Sequence, residues 1–128
     1  MLKTVAAVTL GCKVNQYDTE AMLEAFEQHG YRIVPNGLPA DVYLVNTCTV
    51  TGTGDKKSLQ LIRRCRRRNP QAEVVVTGCL AQRMGEQLRE TGARLILGTQ
   101  YRGRVVELLE QAVAENIQMV AVEGIENA

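Results

Sequence analysis

Short runs of β-branched and apolar residues alternate with helical patterns along the whole chain, and this alternation limits the folds that the sequence can adopt. The strand-like runs fall at 4–10, 31–34, 41–46, 73–77 and 94–97. The helical patterns fall between and after them, at 19–30, 56–68, 81–91 and 102–115. Such alternation predicts right-handed βαβ units, in which a parallel sheet carries helices on both faces.

The number of strands predicts the fold class. Five parallel strands commonly follow the order 2-1-3-4-5, as in flavodoxin, so we expect a flavodoxin-like three-layer α/β domain. A further run at 119–122 is a candidate sixth strand. The chain has 128 residues, of which 45% are hydrophobic, enough for one domain with a buried core. No signal peptide or membrane-spanning run is visible, so we expect a cytoplasmic, reducing location in which cysteines stay thiols or ligands.

Two of the predicted helices carry boundary signals. For the first helix, Asp18 is a predicted N-cap and Gly30 a predicted stop. For the second, Thr53 or Asp55 is a predicted N-cap, and Pro70 predicts the end. Each helix is therefore expected to begin only after its capping residue.

Three of the four cysteines share one position relative to the predicted strands. Cys12, Cys48 and Cys79 each follow the end of a strand, in the runs VTLGC, LVNTC and VVTGC. Under the order 2-1-3-4-5 these strands are neighbours, and adjacent strands lie about 4.8 Å apart. We therefore expect the three thiols to meet within roughly 10 Å at the carboxyl edge of the sheet, where α/β proteins bind ligands.

The softness and the spacing of these thiols indicate which metal they would bind. Thiolates select zinc, copper(I) or iron–sulfur clusters. Structural zinc sites usually take cysteine pairs a few residues apart, and the chain has no C-x-x-C, so an iron–sulfur cluster is favoured. Such a cluster normally has four protein ligands, so three would leave one iron open to an outside ligand. From spacing alone, redox-active thiols and buried core thiols stay open as alternatives.

Four residues beside the cysteines are candidates for contacts with cluster sulfurs, namely Gly11, Asn15, Asn46 and Gly78. The glycines would let backbone N–H groups approach sulfur, and their alternative role is a strand-to-helix turn. The two asparagines, together with Gln16, would either donate hydrogen bonds to sulfur or form turns.

Two other potential metal ligands are interpreted as structural. Cys65 lies within the second helix on the same stripe as Leu61 and Ile62, which faces the predicted sheet. It is therefore interpreted as a buried small hydrophobic residue, with a fourth cluster ligand as the alternative. His29, directly before Gly30, is predicted to complement a helix C-terminus rather than bind metal.

The second helix carries most of the local positive charge. Between positions 56 and 68 there are seven basic residues and no acidic one, whereas the rest of the chain has eight basic and fourteen acidic residues. The seven are Lys56, Lys57, Arg63, Arg64, Arg66, Arg67 and Arg68. A helix with this face can hold several phosphates, so contact with a nucleic-acid backbone is predicted, with a solvated surface as the alternative.

Four motifs follow one another in the chain: LGCKVNQYDTE (10–20), NTCTVT (46–51), KKSLQLIRRCRRRNP (56–70) and VTGCLAQ (76–82). Together they resemble the N-terminal domain of the radical-SAM methylthiotransferases. The first and third motifs resemble most the branch that acts on N6-threonylcarbamoyladenosine in tRNA. The resemblance implies an auxiliary [4Fe–4S] cluster on Cys12, Cys48 and Cys79, whose open iron carries the sulfur that is placed on C2 of the adenine.

The resemblance also implies two partners, tRNA and a radical-SAM domain of the same full-length chain. That domain would bind S-adenosylmethionine and a second [4Fe–4S] cluster through a C-x-x-x-C-x-x-C motif, which residues 1–128 lack. We therefore expect residues 1–128 to be an excised domain that is inactive alone. The alternative is a thiol-redox or zinc-binding α/β domain that binds nucleic acid or a protein partner.

Overall fold

The computed structural model describes residues 4–9, 13–35, 39–47, 52–78, 81, 85–98 and 103–121. Its strands are β1 (Thr4–Thr9), β2 (Arg32–Ile33), β3 (Val42–Thr47), β4 (Glu73–Gly78), β5 (Leu95–Leu97) and β6 (Met119–Ala121). Its helices are α1 (Lys13–Gln28), α2 (Gly52–Arg68), α3 (Val105–Glu115) and a 3₁₀ helix (Gly85–Thr91). Within these residues, every helix is too short or too polar to span a membrane.

The described strands form one parallel sheet in the order β2-β1-β3-β4-β5-β6. The predicted order of the first five strands is confirmed, and the candidate sixth strand is present as β6. It pairs with β5 in parallel, with Leu95 opposite Met119 and Leu97 opposite Ala121. The sheet thus has six described strands rather than the expected five. After α3 the chain returns to the sheet and pairs with the outer edge of β5.

Two apolar layers cover the two faces of the sheet. On one face Val74 and Val76 pack with Ile62 of α2 and Leu88 of the 3₁₀ helix. On the other face Val75 packs in the cluster that contains side chains of α1 and α3. Successive residues of β4 therefore serve opposite layers, as the two-residue period of a strand requires, which explains why its sequence is apolar throughout.

The predicted starts of the first two helices are wrong. Helix α1 begins at Lys13, so Asp18 lies inside it and is not an N-cap. Helix α2 begins at Gly52, so Thr53 and Asp55 lie within its first turn. No proline interrupts either extended start.

The predicted end of α1 at Gly30 is confirmed. Gly30 has a φ of +91°. Its N–H donates to the carbonyl of Glu27 at 3.0 Å, and the N–H of Tyr31 donates to the carbonyl of Phe26 at 3.0 Å. These two bonds form a Schellman motif, which the edge-to-face rings of Phe26 and Tyr31 close with centroids 5.0 Å apart. Nδ1 of His29 lies 2.9 Å from the carbonyl oxygen of Ala25, so His29 complements the last turn as expected.

The third predicted helix differs in type from the structure. Of the segment 81–91, residues 82–84 lie outside the described residues, and Gly85–Thr91 forms a 3₁₀ helix rather than an α-helix. A glycine costs about 1 kcal/mol in the interior of an α-helix, so Gly85 weakens the α-helical alternative. Leu88 still reaches the core from this helix and is fully buried.

We predict that Gly30→Ala lowers the free energy of unfolding by about 1 kcal/mol, because a Cβ disfavours a positive φ. No atom lies within 4 Å of the added Cβ, so backbone conformation alone carries the effect. Gly103→Ala is the matched control, since its surroundings are equally open and its φ is not in the left-handed region. Urea unfolding measures both variants, and equal losses would contradict the assignment of strain to Gly30.

Candidate metal centre

The carboxyl ends of three neighbouring strands lie side by side in register. Thr9 of β1 is opposite Asn46 of β3, and Asn46 is opposite Thr77 of β4. One residue further on, Thr47 is opposite Gly78. The sheet thus presents the ends of β1, β3 and β4 at one edge, as the sequence predicts.

The predicted ligands follow these strand ends in sequence. Cys48 comes directly after Thr47 and Cys79 directly after Gly78, while Cys12 directly precedes α1. All three cysteines, and Gly11, lie outside the described residues, so their role as ligands stays a prediction. Among the described residues, no three histidine, cysteine or acidic side chains form a group that could hold a metal ion.

Gly78 brings the end of β4 close to the end of β3. Its φ is +100°, and a Cβ at this position would collide with the carbonyl oxygen of Thr47. The same Cβ would lie 2.7 Å from Oδ1 of Asn46 and 2.8 Å from the backbone N of Thr47. Only glycine allows this approach, and Cys79 is the next residue in the sequence.

A buried polar network lies directly beneath this edge. The hydroxyl of Thr19, on α1, accepts a hydrogen bond from the hydroxyl of Thr9 at 2.8 Å and another from the side-chain amide of Asn46 at 2.9 Å. On β3, the hydroxyl of Thr47 donates to the carbonyl of Thr77 at 2.7 Å. These bonds join α1 to the last residues of the three strands that precede the cysteines in the sequence.

Sequence analysis missed the threonines of this network. A signal for them is nevertheless present, because a threonine precedes each of the three cysteines within three residues, as Thr9, Thr47 and Thr77. Thr19 carries no such signal, since only the packing of α1 against β1 and β3 brings it to the network.

Of the two asparagines that are predicted to lie near the cluster, the structure describes the side chain of Asn46 but not that of Asn15. Asn46 is fully buried within β3 and bonds Thr19, so it fixes α1 on β3, and the alternative that it forms a turn is wrong. The side chain of Asn15 lies outside the described residues, and Gln16 is exposed on α1. Contact of any of them with cluster sulfur stays a prediction.

Cys65 is a core residue, as predicted. Its side chain is 3% exposed and belongs to the apolar layer under α2. Burial raises the pKa of the thiol, and this effect exceeds the opposing influence of Arg68 and Arg64. A protonated, buried thiol is a poor metal ligand and a poor nucleophile.

The basic side chains that the structure describes on α2 lie in the second half of the helix. The helix follows the carboxyl end of β3 and ends before the amino end of β4, so its last turn lies at the opposite edge of the sheet from the carboxyl ends of the strands. Arg63, Arg64, Arg67 and Arg68 are exposed and Arg66 is half-buried, whereas the side chains of Lys56 and Lys57 lie outside the described residues. The predicted cationic face is therefore present on the described part of α2.

Comparison of the chain with known families decides its membership. The model of a family described as "Uncharacterized protein family UPF0004" matches residues 4–98. The chain belongs to this family. The matched residues run from the start of β1 to the end of β5 and include all four cysteines.

Curated relatives of this family member carry the name threonylcarbamoyladenosine tRNA methylthiotransferase MtaB. The protein of Bacillus subtilis is 44% identical over 99% of this chain and 28% of its own length. That of Aquifex aeolicus is 41% identical over 92% of this chain and 29% of its own length. The predicted resemblance to methylthiotransferases is confirmed, and the chain spans less than a third of the length of these relatives.

Solved structures with the same fold include receiver domains. The BeF3-activated DrrB receiver domain has a TM-score of 0.62 and 12% identity over 89% of this chain and 99% of its own. A response regulator from Thermotoga maritima has a TM-score of 0.60 and 17% identity over the same shares. Identities this low show the fold alone, and the flavodoxin-like α/β class is confirmed.

We predict that Thr19→Val lowers the free energy of unfolding by about 1–3 kcal/mol, because it removes the acceptor shared by Thr9 and Asn46 and leaves buried donors without a partner. Thr19→Ser, which keeps the hydroxyl and loses only the methyl group, should retain most of the stability. Urea denaturation of the two variants measures the difference. Similar losses in both would show that Thr19 acts through packing rather than through hydrogen bonds.

A second prediction concerns the close approach at Gly78. Gly78→Ala should cost about 1–3 kcal/mol more than Gly30→Ala, because both residues have a positive φ but only Gly78 lacks room for a Cβ. Thermal and urea unfolding of the two variants measure the extra cost. Equal stabilities would mean that β3 and β4 separate readily at this edge.

Proposed function

We propose that this chain is the auxiliary iron–sulfur domain of an enzyme that adds a methylthio group to C2 of N6-threonylcarbamoyladenosine in tRNA. One observation supports it most: β1, β3 and β4 end in register, and each is followed within three residues by Cys12, Cys48 or Cys79. The names of the curated relatives supply the reaction and the tRNA substrate.

The residues present fit a [4Fe–4S] cluster. The three cysteines follow neighbouring strand ends in sequence, and adjacent strands lie about 4.8 Å apart, a spacing that the ligands of one cuboidal cluster can bridge. The lack of a Cβ at Gly78 lets the end of β4 lie directly against the backbone of Thr47, which brings the ends of β3 and β4 together. When bound, a cluster with only three thiolate ligands supplies an open iron that holds the transferred sulfur or its methylated form.

The chain's own residues hold this edge in shape. The bond between Thr19 and Asn46 fixes the second turn of α1 on β3, and α1 begins directly after Cys12 in the sequence. The bond from Thr47 to the carbonyl of Thr77 fixes β3 against β4, directly before Cys48 and Cys79. Gly11, Asn15, Asn46 and Gly78 are the residues that we assign to the surroundings of the cluster.

The remaining parts of the reaction belong to a partner domain. We assign S-adenosylmethionine and a second [4Fe–4S] cluster to a radical-SAM domain of the full-length protein, since residues 1–128 have no C-x-x-x-C-x-x-C motif. The isolated domain 1–128 therefore does not turn over. A cytoplasmic location suits the reduced thiols and the tRNA substrate.

We assign the exposed arginines of α2 to the tRNA backbone. No acidic residue interrupts the segment from Lys56 to Arg68, so its seven cations add without local compensation. Guanidinium groups bind phosphate through paired N–H donors. Such contacts position the RNA and carry no sequence information by themselves.

Anaerobic reconstitution with iron and sulfide tests the cluster assignment. The wild-type chain should bind about four irons, and Cys12→Ser, Cys48→Ser and Cys79→Ser should each lose most of the iron and the broad visible absorption. Cys65→Ala is the matched control and should load fully, because Cys65 is buried in the core under α2. Iron and sulfide analysis with Mössbauer spectroscopy measures the outcome.

Two results would contradict the proposal. If Cys65→Ala lost the cluster as completely as Cys48→Ser, the ligand set would be wrong. If the wild-type chain took up one zinc tightly and no iron, the alternative of a zinc-binding domain would replace the cluster.

A further inference from the structure

The hydroxyl of Thr77 differs from the other described threonine hydroxyls at the carboxyl edge of the sheet. Those of Thr9 and Thr19 bond each other at 2.8 Å, and that of Thr47 donates to the carbonyl of Thr77 at 2.7 Å. The side chain of Thr77 is fully buried, and among the described residues no group bonds its hydroxyl. Buried polar side chains nearly always have a hydrogen-bond partner, so this hydroxyl indicates a partner beyond these residues.

The sheet restricts the place of this hydroxyl. Strand β4 is paired on both sides, with Thr77 opposite Asn46 of β3 and opposite Leu97 of β5. Thr9 of β1 is opposite Asn46 in turn, so the side chains of Thr9, Asn46 and Thr77 form one row on the same face of the sheet. Because a β-branched side chain has few rotamers, Thr77 cannot turn away from this row.

Two contacts hold the backbone around Thr77. Its carbonyl accepts the hydrogen bond from Thr47, and Gly78, the next residue, lies directly against the backbone of Thr47 with a φ of +100°. Together they fix the end of β4 against β3. A donor presented from a strand end that is already ordered loses little free energy to ordering when it bonds a ligand.

The apolar neighbours of Thr77 limit the kind of partner. Val75, two residues earlier on the same face, and Leu97, directly opposite, belong to one buried apolar layer. The partner must therefore be an acceptor that is held in a water-poor place at the end of β4. Sulfurs bound to iron are such acceptors, and Cys79, a predicted cluster ligand, is two residues further along the sequence.

We propose that Thr77 is a positioning residue whose hydroxyl donates a hydrogen bond to an iron-bound sulfur of the [4Fe–4S] cluster. The inference rests on the proposed function, because it requires the cluster, and it adds Thr77 to the residues around it. The reduced cluster carries one more negative charge than the oxidised one, so a hydrogen bond to sulfur stabilises the reduced state more and raises the reduction potential. The accepting sulfur is the thiolate of Cys79 or an inorganic sulfide, which share this chemistry.

Urea unfolding of the metal-free chain tests whether the fold itself uses the hydroxyl. Thr77→Val keeps the shape of the side chain and removes a hydroxyl that lacks a partner, so it should unfold at the same or a higher urea concentration than the wild type. Thr47→Val is the matched comparison and should unfold at a lower concentration, because it removes the donor to the carbonyl of Thr77. Equal losses in the two variants would overturn the proposal.

Anaerobic redox titration of the reconstituted chain tests the bond to sulfur. Thr77→Val should load about four irons, as the wild type should, and its reduction potential should fall by about 59 mV, a tenfold change in a one-electron equilibrium. Thr77→Ser keeps the hydroxyl and should retain the wild-type potential. An unchanged potential in Thr77→Val, or the same fall in Thr77→Ser, would overturn the proposal. A wild-type chain that takes up no iron would instead contradict the proposed function, on which the inference rests.

Resonance Raman spectra identify the accepting sulfur. In a cluster reconstituted with isotopically labelled sulfide, the iron–sulfur vibrations that shift with the label involve inorganic sulfide, and the others involve the cysteine thiolates. If Thr77→Val changes only the label-independent vibrations, a thiolate accepts the bond, whereas a change in the label-sensitive ones assigns it to sulfide. Spectra that are identical in Thr77→Val and the wild type would overturn the proposal.

Discussion

The parallel register of β1, β3 and β4 is the constraint on which the rest of the structure depends. Because successive side chains of a strand point to opposite faces, a slip of one residue in β3 would exchange its two apolar faces and turn Asn46 away from Thr19. The same slip would separate Gly78 from the carbonyl of Thr47, which it approaches too closely for any side chain. The apolar layers and the polar edge therefore specify the same register of the strands. A shifted register would disrupt both.

The two ends of the sheet carry different chemistry, and α2 passes from one to the other. At the carboxyl edge the described polar side chains of the network are neutral hydroxyls and one amide, and all of them except that of Thr9 are buried. At the amino edge the ion pair of Arg94 and Glu73 joins β4 to the segment before β5. Neutral donors suit a site that holds a cluster in a water-poor environment, whereas the exposed arginines of α2 suit the backbone of a nucleic acid.

The sequence predicts those parts of the structure that depend on local pattern. The five main strands and their order follow from β-branched runs and from alternation with helices, and Cys65 is correctly predicted as core from the stripe that it shares with Ile62. The predicted starts of α1 and α2 are wrong because Asp18 and Asp55 have the sequence context of N-caps, although each helix already begins several residues before them. The ion pair of Arg94 with Glu73 and the contact of Thr19 with Asn46 have no local signal, since each joins residues that are distant in sequence.

The polarity of the carboxyl edge is itself an argument for a functional role. A buried hydroxyl that lacks a hydrogen bond costs about 1–3 kcal/mol, and among the described residues no group bonds the hydroxyl of Thr77, which is fully buried. Valine has nearly the same shape and would avoid this cost, as Val75 does two residues earlier on the same face of β4. Stability alone therefore does not account for a threonine at position 77. A hydroxyl two residues before Cys79, in register with Asn46, is accounted for if this edge holds a group that accepts hydrogen bonds, as the sulfurs of a cluster do.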